Sequence, residues 1–243
     1  MFSYDYFDLV LGLSDSPVSL IGHDIGGAVA IGFSAKYPDL CQAVCLISPV
    51  GIRYNSIKKE EALKMKYVGE YMYYKRRFGI ADEVEGQYFD NSPECLHKQL
   101  IEKQKSMITW QLNNTNGYLG AILSSIRSFP LRGMEELFTA VGRFERPVLV
   151  LWGEGDHVTS YARSINIAER CFPKGYVVTV AECGHHPLVE KFTDVMTEIL
   201  SFFKLAHEEI DRQVAEARAK LDLEAQDDAV RDGHDTFGNG NYN

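Results

Sequence analysis

Residues 18–30, with the sequence VSLIGHDIGGAVA, constrain the fold of this chain more than any other stretch. An apolar run of strand length ends at Gly22, and an Ala-rich segment of helical composition follows Gly26 and Gly27. The pattern therefore predicts a strand, a tight turn with Asp24 at its tip, and a helix. Gly22 and Gly26 suit this turn because the backbone and the following helix leave little room for side chains. Nucleotide-binding folds also contain glycine-rich turns of this kind, but the G-x-G-x-x-G spacing is missing.

Three further apolar runs have the length and the boundaries of buried parallel strands. They cover residues 43–49, 147–152 and 176–180. Asp156 lies shortly after the second of these runs, and His185 lies shortly after the third. The carboxyl ends of parallel strands form one edge of a sheet, where ligands usually bind. We therefore expect Asp24, Asp156 and His185 to meet at this edge.

These three residues occur in the order nucleophile, acid, histidine, which is the chain order of the α/β-hydrolase fold. Over about residues 4–203 the chain resembles the α/β-hydrolase superfamily, most clearly at GHDIGG (22–27), PVLVLWGEGD (147–156) and GHHPLVE (184–190). The resemblance implies a partial α/β-hydrolase fold, made of the last four of the family's eight parallel strands with their flanking helices. It also implies a helical cap, or lid, inserted between the second and the third of these strands.

The chain divides into four parts by composition and pattern. We expect residues 1–50 and 147–203 to form the two parts of the α/β-hydrolase core, and residues 51–146 to form the cap. Lysines, tyrosines and methionines recur there with helical spacing, and strand-like runs disappear. Residues 204–243 are acidic and helical in composition, and we expect disorder from Gly233 onwards.

The residue at the turn tip separates two kinds of hydrolase chemistry. A serine needs a base to remove its proton before it attacks a carbonyl carbon. An aspartate is ionised at neutral pH, but its attack on a carbonyl would give a high-energy anhydride, whereas displacement at a saturated carbon gives an ordinary ester. Asp24 therefore favours substrates with an electrophilic sp³ carbon and a leaving group. This is the chemistry of epoxide hydrolases and haloalkane dehalogenases, which the Gly-His-Asp turn resembles.

The resemblance assigns a role to each residue of the site. Asp24 is the nucleophile, His185 activates the water that hydrolyses the alkyl–enzyme ester, and Asp156 orients His185. The backbone N–H of Ile25 would stabilise developing negative charge, and His186 would lie at the pocket rim. No cofactor or metal is expected, because this chemistry needs none and the sequence shows no cluster of metal ligands.

Two features favour another hydrolase class. Ile25 stands where dehalogenases and most epoxide hydrolases carry tryptophan, and where fluoroacetate-type dehalogenases carry arginine. Residues 125–137 resemble the cap end of serine esterases and peptidase-like hydrolases. The first alternative is therefore an esterase or lipase-like hydrolase in which aspartate replaces serine.

The strands that precede residue 18 in the family have no counterpart in this sequence. The strand before Asp24, which is central in the family, is then expected to form a sheet edge with unpaired backbone groups. A partner protein or a second copy of the chain is expected to cover this edge. The second alternative is a non-catalytic or truncated α/β-hydrolase-like protein.

The expected cap contains candidates for two further tasks. The tyrosines available to protonate an opening epoxide oxygen are Tyr67, Tyr71, Tyr73, Tyr74, Tyr88 and Tyr118. The region also holds a basic stretch, made of Lys58, Lys59, Lys64, Lys66, Lys75, Arg76 and Arg77. Acidic residues, among them Glu70, interrupt this stretch, so we interpret it as a solvated cap helix rather than a membrane-contacting face.

Charge and composition exclude several other classes of protein. The net charge of −9 argues against general nucleic-acid binding. The expected ligand, which follows from the family resemblance, is a small, apolar substrate. The five cysteines form no C-x-x-C pair, which favours reduced thiols. Neither a long apolar run nor a basic, apolar leader is visible, so we expect no membrane anchor and a cytoplasmic location.

Overall fold

A computed structural model of the chain describes residues 17–52, 62–76, 98–129, 133–144 and 146–235. These residues contain a parallel sheet of four strands, whose order across the sheet equals their order along the chain. The strands are β1 (Val18–His23), β2 (Cys41–Ile47), β3 (Val148–Gly153) and β4 (Tyr176–Val180). The prediction of four parallel strands with flanking helices is confirmed.

Helices occupy most of the remaining described residues. They are α1 (Ile25–Lys36), α2 (Val68–Arg76), α3 (Lys98–Asn114), α4 (Tyr118–Ser128), α5 (Glu135–Arg143), α6 (Tyr161–Cys171), α7 (Pro187–Glu190) and α8 (Phe192–Asp235). A short 3₁₀ helix, Pro38–Leu40, joins α1 to β2.

The strand register brings the carboxyl ends of the sheet to one edge. His23 pairs with Ile47, Ile47 pairs with Leu151, and Leu151 pairs with Val178. Because the four strands run parallel, the segments that follow them leave the sheet on the same side. This register is what places the turn after β1 next to the loops after β3 and β4.

The core of the fold lies on the sheet and includes helix α5. This helix packs against α1 and α6, and its Phe138 is fully buried with Trp152 and Phe172 in the main apolar cluster. Residues 135–143 fall within the range expected to form the cap. Their side chains nevertheless complete the core, because α5 fills the space between two helices that cover the sheet.

The described part of residues 51–134 contains the helices α2, α3 and α4 together with turns, and no strand. Helix α4 packs against α2 and against α3. Residues 53–61, 77–97 and 130–132, which hold Tyr88, Lys58, Lys59 and Arg77, lie outside the described residues.

The end of the chain forms its own unit of structure. Contacts divide the chain into residues 1–200 and 201–243, and helix α8 runs without interruption to Asp235. The prediction of disorder from Gly233 was therefore wrong for residues 233–235. A single glycine lowers helix stability by only about 1 kcal/mol relative to alanine, which a long helix tolerates. Residues 236–243 lie outside the described residues.

Strand β1 lies at one side of the sheet. Within the described residues it pairs only with β2, and its Ile21 side chain is 57 % exposed. That a partner covers this edge stays a prediction.

Candidate active site

Asp24 occupies a strained turn between β1 and α1. Its φ of 52° and ψ of −119° are unusual for a residue with a side chain, and such a conformation costs on the order of 1–3 kcal/mol. Three backbone hydrogen bonds hold it: Asp24 N–H donates to Ile47 O at 3.1 Å, and Asp24 O accepts from Gly27 N at 3.0 Å and Val50 N at 3.1 Å. The turn tip predicted from the sequence is thus held by the end of β2, by the first turn of α1 and by the segment after β2.

Crowding explains Gly22 and Gly27 of this turn, whereas the sequence predicted Gly22 and Gly26. A Cβ atom on Gly22 would lie 2.4 Å from Gly26 O, and one on Gly27 would lie 2.8 Å from Pro49 Cβ. A Cβ atom on Gly26 would meet nothing within 4 Å. The prediction that Gly26 must be small because of crowding was therefore wrong. The crowded position is Gly27, because the chain after β2 passes directly behind it.

The structure brings Asp24, His185 and Asp156 together. His185 Nδ1 lies 2.9 Å from Asp156 Oδ2, which is hydrogen-bond distance, and His185 Nε2 lies 3.6 Å from Asp24 Oδ1, which is too long for a hydrogen bond. The His185 side chain is almost fully buried, whereas 32 % of the Asp24 side chain is exposed. The carboxylate of Asp156 thus orients the imidazole, and the carboxylate of Asp24 is accessible from outside on the Nε2 side of the ring.

Asp156 is held by donors on both carboxylate oxygens. Oδ1 accepts from the backbone N–H of Val158 at 2.8 Å and of Thr159 at 2.9 Å. Oδ2 accepts from Thr159 Oγ1 at 2.7 Å, from Trp152 Nε1 at 3.2 Å and from His185. Because these donors come from the end of β3 and the loop after it, the carboxylate has one fixed orientation toward His185.

The pKa of Asp156 is lowered in spite of its burial. Burial alone would raise the pKa of this carboxyl group. The hydrogen bond and charge of His185, together with the hydrogen bonds from Thr159, lower the pKa by more than burial raises it. Asp156 is therefore a carboxylate, able to stabilise a positive charge on His185.

The loop that carries His185 is clamped from two sides. Glu190 is only 8 % exposed. Its carboxylate accepts hydrogen bonds from Gly184 N at 2.8 Å and from His186 N at 3.1 Å. His23 Nε2 donates to His185 O at 2.8 Å. The backbone on both sides of the imidazole is thereby fixed to α7 and to the end of β1.

Two other histidine rings lie beside His185. The ring centre of His23 is 4.9 Å from that of His185, and the ring centre of His186 is 5.3 Å from it. Burial and the charge of His185 lower the pKa of His23, and burial with the charges of His185 and His23 lowers the pKa of His186 to about 3. Both neighbours are therefore neutral near pH 7.

A family model of the α/β hydrolase fold matches residues 3–192. The chain belongs to the α/β-hydrolase fold family. Among curated proteins, this α/β-hydrolase-fold chain is 20 % identical over 202 residues to Lipase 1 of Psychrobacter immobilis, covering 77 % of the chain and 56 % of that protein. It is 21 % identical over 208 residues to Monoacylglycerol lipase ABHD6 of Homo sapiens, covering 81 % and 58 %. The chain thus spans little more than half the length of these relatives.

Solved structures show the same fold. A thermophilic esterase from Thermogutta terrifontis aligns with a TM-score of 0.65 at 22 % identity, covering 84 % of this chain and 69 % of the other. A bromoperoxidase from Bacillus anthracis aligns with a TM-score of 0.67 at 16 % identity, covering 82 % and 72 %. At such identities the likeness concerns the fold alone.

The other predicted site residues of this α/β-hydrolase-fold chain lie as follows. Ile25 begins α1, so its N–H is in the first turn of the helix, where backbone donors have no partner within the helix. His186 is partly buried beside His185. Tyr71, Tyr73 and Tyr74 line a cavity of about 450 Å³ between α2 and α4. Of the remaining candidate tyrosines, Tyr67 is exposed and Tyr118 is half-buried.

Metal ligands, thiols and membrane spans give three further findings. The described residues contain no group of three His, Cys, Asp or Glu side chains able to hold a metal ion. Cys41, Cys45, Cys171 and Cys183 are buried and form no disulfide among the described residues, and Cys95 lies outside those residues. Within the part of the chain that is described, no helix is long and apolar enough to cross a membrane.

Sequence reasoning missed the residues that hold the site in place. Thr159 and Trp152 bind Asp156, while His23 and Glu190 bind the His185 loop. His23 and Glu190 both lie inside the motifs that carried the resemblance. His23 directly precedes Asp24, and Glu190 follows His185 by five positions, so their place in the sequence was the available signal. Their contacts, however, depend on how the chain packs and could not be predicted from these positions.

Proposed function

We propose that this chain is a hydrolase that uses Asp24 as a nucleophile on an electrophilic sp³ carbon. The observation that carries the proposal is an accessible Asp24 carboxylate at a strained turn, 3.6 Å from the Nε2 atom of a buried His185. His185 is held in turn by Asp156. A carboxylate in this place attacks without a base, so the histidine is left for the second step.

The reaction proceeds in two steps. In the first, an Asp24 oxygen bonds to the substrate carbon, the bond from that carbon to its leaving group breaks, and an alkyl ester of Asp24 forms. In the second, His185 Nε2 takes a proton from water, and the resulting hydroxide attacks the ester carbonyl of Asp24. The Ile25 N–H stabilises the oxyanion, and Asp156 stabilises the protonated His185. The bond between the ester carbonyl carbon and the alkoxide oxygen then breaks, His185 gives its proton to that oxygen, the alcohol leaves, and the Asp24 carboxyl group ionises again.

The substrate class we favour is a small, apolar epoxide. An opening epoxide oxygen needs a proton, and the tyrosines of residues 51–146, among them Tyr71, Tyr73 and Tyr74, are the candidate donors. An alkyl halide is less favoured because Ile25 replaces the usual halide-binding tryptophan or arginine.

The ester intermediate provides the test. His185→Gln removes the base for the second step, so a panel of apolar epoxides should leave the substrate mass covalently attached to Asp24, detected by mass spectrometry of its peptide. His207→Gln, at an exposed position of α8, is the matched control and should accumulate no adduct. Absence of any adduct on a folded His185→Gln protein would refute the proposed nucleophile.

A second candidate is a carboxylester hydrolase in which aspartate has replaced serine. Its support is that three of the four proteins compared above are named lipases or an esterase, while the fourth is a bromoperoxidase. Under this hypothesis Asp24→Ser should create hydrolysis of nitrophenyl esters, whereas Asp24→Ala should not. If both Asp24→Ser and the epoxide panel give no reaction with folded protein, a non-catalytic role is favoured.

A further inference from the structure

Helix α2 and the turn before it carry a cluster of exposed apolar side chains, here called the α2 face. Its members are Met65, Tyr67, Val68, Tyr71 and Tyr74. The opposite side of the same segment faces the protein, because Leu63 and Gly69 are buried. Exposed apolar side chains that cluster in this way indicate a contact surface.

The α2 face is also basic. Lys66 and Lys75 are exposed, and Glu70 is the single acidic residue of the segment 62–76. Lys66 Nζ lies 5.1 Å from the centre of the Tyr67 ring, and Lys75 Nζ lies 5.1 Å from the centre of the Tyr71 ring. Ammonium groups and aromatic rings are therefore presented together on one side of the segment.

Glu70, the single acidic side chain, is matched from within the protein. Its carboxylate accepts hydrogen bonds of 2.7 and 2.9 Å from Arg127 of α4. The hydrogen bond from Arg127 also lowers the pKa of Glu70 to about 2. Glu70 was one of the acidic residues on which the interpretation as a solvated helix depended, and Arg127 neutralises it. Glu70 therefore does not cancel the charges of Lys66 and Lys75.

We propose that the α2 face docks onto an anionic lipid surface. The whole chain has a net charge of −9, so most of its surface repels anionic partners. A basic face is therefore the place where an anionic partner would bind. Tyrosine rings suit the boundary between apolar and aqueous layers, and lysines beside them reach anionic headgroups. Lysines separate the apolar side chains, whereas the centre of a protein–protein interface is depleted in charge.

A cavity adds apolar depth to this surface. Tyr71 and Tyr74 border the space of about 450 Å³ that Leu119 and Leu123 of α4 also line. An apolar chain from a lipid layer has room to enter beside the two rings. The test of docking measures vesicle binding alone, so its outcome is separate from that of the chemistry proposed for Asp24.

Vesicle sedimentation with the full chain tests the proposal. We expect the chain to sediment with phosphatidylcholine vesicles that contain phosphatidylserine at about 30 mol%, and not with pure phosphatidylcholine. Salt at about 0.5 M should release it. Lys66→Gln with Lys75→Gln should weaken binding about 25-fold, at about fivefold per lysine. Tyr71→Ser with Tyr74→Ser should also weaken it.

A matched pair on β4 and the turn before it serves as the control. Lys174 is exposed, and Tyr176 is 59 % exposed, compared with 58 % for Tyr71. Lys174→Gln with Tyr176→Ser should leave vesicle binding unchanged, and thermal unfolding should show that all variants are folded. Absence of binding, equal binding to neutral vesicles, or equal loss in the control would each overturn the proposal. Retention on an acidic peptide without vesicle binding would assign the face to a protein partner and overturn it as well.

Discussion

Replacement of Glu190 by glutamine tests whether the His185 loop depends on a single buried carboxylate. The two carboxylate oxygens accept from Gly184 N and His186 N, the backbone donors on either side of His185. Glutamine has the same length but only one acceptor oxygen, so its NH₂ group must face one of these N–H groups. One charge-assisted hydrogen bond is lost and its donor stays buried.

The expected loss follows from these contacts. A hydrogen bond to a charged group contributes about 1.5–3 kcal/mol, and a buried donor without a partner costs a further 1–3 kcal/mol. Removal of a buried charge offsets part of this, so we expect Glu190→Gln to lower the free energy of unfolding by about 2–3 kcal/mol. For a chain of this size that corresponds to a fall in Tm of about 5–10 °C.

Differential scanning calorimetry measures the change, with Glu198→Gln as the control. Glu198 lies on α8 at an exposed position, where such a substitution should change stability by no more than about 0.5 kcal/mol. Under the proposed mechanism, Glu190→Gln should also slow hydrolysis of the Asp24 ester more than its formation, because His185 acts only in the second step. If the two glutamine variants unfold at the same temperature, the clamp does not hold the loop.

Three other predictions concern the turn, the histidine cluster and the orienting acid. Gly22→Ala should lower Tm strongly because its Cβ would lie 2.4 Å from Gly26 O, whereas Gly26→Ala should leave Tm nearly unchanged; similar values for both would contradict the packing. With a pKa of about 3 when folded and 6.5 when unfolded, His186 binds protons mainly in the unfolded state, so stability falls as pH drops below about 6.5. This group accounts for about 2 kcal/mol by pH 5, and urea unfolding of His186→Gln should show a weaker pH dependence. Asp156→Asn should slow decay of the Asp24 ester about a thousandfold in single-turnover assays, because three donors converge on Oδ2; an unchanged rate would exclude Asp156 as the orienter of His185.

The sheet and the position of the site could be predicted from the sequence because they depend on local patterns. Apolar runs of strand length gave β1 to β4 to within a few residues. Parallel strands that leave the sheet at one edge then bring Asp24, Asp156 and His185 together.

The supporting contacts could not be predicted, because they join distant parts of the chain. His23 and His185 are 162 positions apart, and nothing in the local pattern specifies that the ring of one reaches the carbonyl of the other. The same reason explains the error at Gly26. Whether Gly26 or Gly27 is crowded depends on where Pro49 lies, and that position is set by the pairing of β1 with β2.

The strain at Asp24 bears on whether this turn serves folding or chemistry. A glycine would adopt its positive φ without cost, so folding alone gives no reason for a charged side chain at the tip. The Asp24 side chain is nevertheless directed to within 3.6 Å of His185, whose own loop is fixed by Glu190 and His23. The strained backbone of Asp24 thus places its carboxylate opposite an imidazole of fixed orientation. Strain of this kind clusters at functional sites, so the placement of Asp24 favours a chemical role for the turn over a structural one.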